Sequence, residues 1–141
     1  MTLDDIRSDF ALLDEWEDRY RYIIELGRAL PPMPAELKTE STKVRGCASQ
    51  VWLHARVDTS AVGHVPRLSF EGDSDAHIVR GLVAILLSIY NGRSAADIIA
   101  HDPKADFASI GLQDHLTPQR SNGLASMVER VRSDARGALE N

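Results

Sequence analysis

The residue with the most chemistry to offer is the single cysteine, Cys47, placed directly after Gly46 and just ahead of a strand-like run, residues 50–57. Glycine tolerates positive φ, so Gly46 permits a sharp turn that would present the next side chain at a loop tip. A thiol in that position can act as a nucleophile or carry sulfur, and Arg45 is close enough in sequence to favour the thiolate. One cysteine cannot close an intrachain disulfide or supply a cysteine-rich metal cage, which predicts a reducing compartment and no metal site. The opposing reading is that Cys47 is a small buried hydrophobe, the more frequent role of a lone cysteine.

Other candidate chemistries are narrower. A cysteine hydrolase would need a His base held against the thiol; five histidines are present, none with a recognisable flanking signature. Gly72-Asp73-Ser74 after a strand partly matches the Gly-Asp-Ser block of one class of serine esterases, but the Asp-x-x-His that closes that class is missing. Ser74 instead reads as part of a helix start, with Asp73 and Asp75 favourable at the positive end of the helix dipole. No glycine loop has phosphate-binding spacing. Arg120 falls in the first turn of the last helix, where a cation opposes the dipole, and so predicts a local anionic partner. Trp52 reads as core or sheet packing.

The elements that must position these residues follow from periodicity. Thr2 caps a first helix with Leu3, Ile6, Phe10 and Leu13 on one face; Trp16, Tyr20, Ile23, Gly27 and Leu30 form a second helical stripe, opened by a capping box at Asp14 and ended by Pro31-Pro32. Residues 31–43 carry three prolines and no period, so they form a loop leading into the cysteine turn. A strand over residues 50–57 pairs as a hairpin, through a turn near Gly63, with a second strand over residues 65–71. Residues 72–75 then cap a broadly apolar central helix ending near Gly92. Short helices follow from Ser94 and from Asp102-Pro103, and a last helix from Thr117-Pro118. The order predicts an α+β fold, a small antiparallel sheet packed against several helices.

Composition sets the outer limits. The chain has 141 residues, 43% hydrophobic and 26% charged, which predicts one domain over residues 1–141. A net charge of -5 argues against a general nucleic-acid binder. No apolar run reaches spanning length and the acidic start lacks the basic end of a signal peptide, so a soluble, cytoplasmic protein without membrane contact is expected.

Against that background, Gly46-Cys47-Ala48-Ser49-Gln50-Val51-Trp52 resembles the cysteine motif of the SufE family of sulfur acceptor proteins. Residues 72–82 resemble that family's approach to its central helix, residues 116–124 the start of its last helix, and Trp16-Glu17 with residues 22–27 its N-terminal helices. The resemblance implies a fold similar to IscU-type scaffolds and a partner that is a PLP-dependent cysteine desulfurase. Sulfane sulfur would pass to Cys47 as a persulfide, the desulfurase would be stimulated, and the sulfur would go on toward iron–sulfur cluster assembly, with an iron–sulfur scaffold as a further partner. It also implies that the PLP belongs to the desulfurase and that this chain needs no cofactor of its own. By motif position Asp75 and Arg120 are supporting residues near the cysteine loop; Arg45 and Gly46 are supporting residues on local grounds. The competing function is a binding module that activates a desulfurase allosterically while Cys47 only packs.

The magnitudes favour positioning over acidity. Lowering a thiol pKa from about 8.5 to about 7 raises the thiolate fraction at pH 7 roughly fifteenfold. Weaker nucleophilicity takes back roughly fivefold, leaving about threefold. Orientation of the two sulfurs contributes several kcal/mol. Cys47 is therefore expected to be sheltered in the free protein, since an open persulfide would be oxidised or reduced away.

Overall fold

The computed structural model describes residues 2–59, 65–112 and 116–140. The N-terminal helix α1, Leu3–Ala11, starts on the expected capping box: Thr2 accepts from the Asp5 N–H while the Asp5 carboxylate accepts from the Thr2 N–H. Helix α2, Trp16–Ala29, has Glu15 as its N-cap and no side-chain capping bond, so the capping box read at Asp14 does not form. Its end at Leu30, before Pro31, is as expected. A short 3-10 turn, Ala35–Leu37, breaks the following loop.

Strands β1, Val51–Asp58, and β2, Arg67–Ser74, pair antiparallel with Val51 opposite Ser74 and Asp58 opposite Arg67. The turn expected near Gly63 lies outside the described residues. Strand β2 runs three residues further than its sequence pattern predicts, through Gly72, Asp73 and Ser74. Gly72 permits this: a Cβ there would stand 2.6 Å from Val83 Cγ1 and 2.8 Å from Leu53 Cδ2, so the strand lies flat on the core only without a side chain. Residues 72–74 are therefore strand and not the helix start read from the sequence. Helix α3, His77–Tyr90, begins from Ala76 with no side-chain cap.

Helix α3 is the centre of the molecule, with ten of its residues buried and its packing made against α2, β2, α1 and the C-terminal helix. It crosses α2 closely because Gly27 faces the Gly81 backbone and Gly81 faces that of Ile23; a Cβ on Gly27 would meet the Gly81 nitrogen at 2.7 Å. Helices α4, Ala95–Ala100, and α5, Lys104–Ser109, follow, the first capped by Ser94 through the Asp97 N–H. Helix α6, Pro118–Glu140, packs on α4 and β1 and presents Gly123, Met127 and Val131 inward, whereas Leu139 near its end is exposed. Arg7 joins α1 to α5, 2.9 Å from the nearly buried Asp106. Among the described residues no helix is long and apolar enough to cross a membrane.

Candidate functional site at the Cys47 loop

Gly46 adopts φ 89°, the left-handed conformation that turns the chain at the loop tip. The next residue, Cys47, folds inward. Its Sγ donates to the Gly123 carbonyl at 3.6 Å. Cys47 shares with Ala76, Ile78, Val79, Leu82, Arg120 and Met127 the lining of a cavity of about 140 Å³. The walls are mixed, apolar from the α3 residues and Met127 and polar from Ser49, Gln119 and Arg120, and the thiol is half-buried.

Burial pushes the Cys47 thiol above its ordinary value. The lowering expected from Arg45 is not what the structure gives: that side chain is exposed and turned to Glu40, 3.6 Å away. Desolvation disfavours the charged form, and among the described residues no cation lies against the sulfur to offset it. The folded thiol thus contributes stability below the pKa of the unfolded thiol, and this is lost as pH rises through the folded value. The rate of Cys47 alkylation against pH is therefore expected to have its midpoint above that of the denatured chain. A midpoint at or below the denatured one would mean that the thiol is not sheltered.

The other sequence candidates fall around the loop in distinct ways. Asp75 is a tether: its carboxylate accepts from the Gln50 N–H at 3.0 Å, and its own N–H donates to the Gln50 carbonyl at 3.3 Å. Ser74 Oγ donates to the same carbonyl at 2.7 Å. Arg120 reaches the cavity, but its guanidinium lies 5.9 Å from the Tyr20 ring centre; among the described residues no carboxylate pairs with it, in place of the anionic partner expected.

Asp73, read as a dipole residue, is instead a buried hub. Its carboxylate lies 3.1 Å from Lys38 Nζ and 3.3 Å from Arg80 Nε, and accepts from the Ser74 N–H at 2.8 Å. Burial pushes this carboxyl up, but Lys38, the Ser74 N–H and Arg80 outweigh it and hold it below the usual carboxylate range. Lys38, which the sequence did not single out, also lies 5.1 Å over the Trp52 ring. The one available signal was a lysine in the loop that leads to the cysteine.

The sequence pattern of SufE, described as an Fe-S metabolism associated domain, matches residues 4–135. This chain belongs to the SufE family. Among SufE relatives, an uncharacterized SufE-like protein of Rhizobium meliloti (strain 1021) is 56% identical over 140 residues, 98% of this chain and 97% of that one. The sulfur acceptor protein CsdE of Escherichia coli (strain K12) is 40% identical over 131 residues, 93% of this chain and 86% of that one. The solution structure of a hypothetical protein from Thermus thermophilus shares the fold, with a TM-score of 0.74 over the full length of both chains at 23% identity. The α+β architecture, with a two-stranded antiparallel sheet among the described residues, is a fold shared with that solved structure.

Proposed function

We propose that this protein accepts sulfane sulfur on Cys47 from a PLP-dependent cysteine desulfurase, stimulates that enzyme and passes the sulfur toward iron–sulfur cluster assembly. The observation that carries the reading is a lone thiol on a glycine turn, turned into a small cavity, in a chain 40% identical to a protein named as a sulfur acceptor. The step is an exchange. Cys47 loses its proton to solvent, and its thiolate lone pair attacks the outer sulfur of the donor's persulfide. The donor S–S bond breaks, its electron pair leaves on the donor thiolate, and Cys47 becomes the persulfide.

Inside the cavity the thiol is ionised less than the few per cent expected of an ordinary cysteine at pH 7. Transfer therefore takes place with the loop turned outward, and Gly46 is the residue whose backbone freedom permits that turn. Arg120 then supplies positive charge beside the sulfur, while Asp75 keeps the far end of the loop in place. Arg45 contributes at the exposed rim of the loop, not to thiol acidity. The chain works as one domain in the cytoplasm, with a shape similar to IscU-type scaffolds, and hands sulfur to such a scaffold.

Incubation with a cysteine desulfurase and free cysteine is expected to add the mass of one sulfur atom, removable by a reductant. No gain would overturn the reading. The half-burial of Cys47 and its bond to the Gly123 carbonyl favour a second reading, a binding module that activates the desulfurase while Cys47 packs.

A further inference from the structure

The cysteine loop, residues 45–49, stands between two stems that are anchored by the same short stretch of β2 and its exit. The downstream stem is Gln50, held by Ser74 Oγ and by both the carboxylate and the N–H of Asp75. The upstream stem runs beside β1: the Leu53 N–H donates to the Thr42 carbonyl and the Val44 N–H to the Val51 carbonyl, each at 2.8 Å. That stem enters through Lys38, which spans from the Asp73 carboxylate to the face of Trp52. Asp73 is itself fixed by the Ser74 N–H and Arg80, and Arg80 donates onward to the Leu30 carbonyl at 2.8 Å. Residues 73–75 therefore hold the loop from both sides.

We propose that Asp73 and Lys38 are positioning residues for Cys47, a clasp that sets how often the loop turns its thiol out of the cavity. The proposal rests on the sulfur-acceptor reading for its meaning, because a clasp matters only if Cys47 must alternate between sheltered and presented states. A neutral side chain at position 38 releases the upstream stem from β2, and the remaining bonds of that stem then hold it less firmly. A cation of the same reach restores the clasp, because Asp73 accepts from any well-placed donor of positive charge.

The experiment is the rate of Cys47 alkylation by iodoacetamide, followed by intact mass on the whole folded chain. Lys38→Met is expected to accelerate alkylation about fivefold through more frequent local opening. Lys38→Arg is expected to keep the parent rate, and Asp73→Asn to match Lys38→Met. Phe10→Leu, in α1 and outside both stems, controls for a general loss of stability. A parent rate in Lys38→Met overturns the proposal, as does an equal acceleration in Phe10→Leu. If Asp73→Asn does not fold, because Arg80 loses its buried partner, the two Lys38 variants still decide. Alkylation reports the thiol whether or not it accepts sulfur, so failure of the clasp is distinct from failure of the sulfur-acceptor reading, which shows as absent mass gain.

Discussion

Cys47→Ser is expected to abolish the reducible gain of one sulfur and the stimulation of a cysteine desulfurase, with little change in melting temperature. The hydroxyl is smaller than the thiol but still able to donate to the Gly123 carbonyl, so the cavity keeps its one polar contact there. Because the small polar group keeps its hydrogen-bond partner at a half-buried site, the exchange costs about 1 kcal/mol or less. Loss of sulfur uptake in a folded variant then isolates chemistry from stability. Stimulation that survives the substitution would favour the binding module, and stimulation lost together with the mass gain would favour the carrier.

Gly81→Ala carries the largest expected effect on stability. A Cβ at that position would stand 2.0 Å from the Ile23 carbonyl oxygen and 2.6 Å from Ile23 Cγ2, and backbone atoms cannot step aside as a flexible side chain can. Helices α2 and α3 must separate along the most buried face of the molecule. In a helix interior alanine is ordinarily better than glycine by about 1 kcal/mol, so the clash must first overcome that gain. Overpacking of this severity exceeds the usual range of 1–3 kcal/mol, and a net loss of about 3 kcal/mol corresponds to a fall in melting temperature of roughly 10 °C. Gly137→Ala is the matched control, since a Cβ there meets nothing within 4 Å and only the propensity gain remains. Equal melting temperatures for the two variants would show that the close crossing does not contribute to stability.

How much of this was legible beforehand depends on whether the signal was local. The α1 cap, the end of α2 at Pro31 and the Ser94 cap are decided by neighbouring residues, and they appear where the sequence places them. The end of β2 is different. Gly72, Asp73 and Ser74 look like a turn and helix cap because those residue types prefer such positions. They remain strand because Leu53 and Val83 fill the space beside Gly72 and because Lys38 and Arg80 neutralise Asp73. Those partners are distant in sequence and have no one-dimensional signature. Likewise Gly27 is visible on the α2 stripe, but nothing local shows that Gly81 lies opposite. At the site, the glycine turn before Cys47 and the sheltering of its thiol were legible; the group that receives the thiol, the Gly123 carbonyl on α6, was not, because it lies 76 residues away.

The anchoring of both stems also limits the distance over which Cys47 can act. It lies three residues from Val44 and three from Gln50, and an extended chain spans at most about 3.6 Å per residue, so its backbone cannot stray beyond about 11 Å from either. The sulfur is on a short leash, able to swing but not to travel. A donor must therefore bring its own sulfur to within that radius of the β1 end, extended only by the reach of the cysteine side chain, and any protein whose reactive group is recessed more deeply than the leash can follow is excluded by length alone.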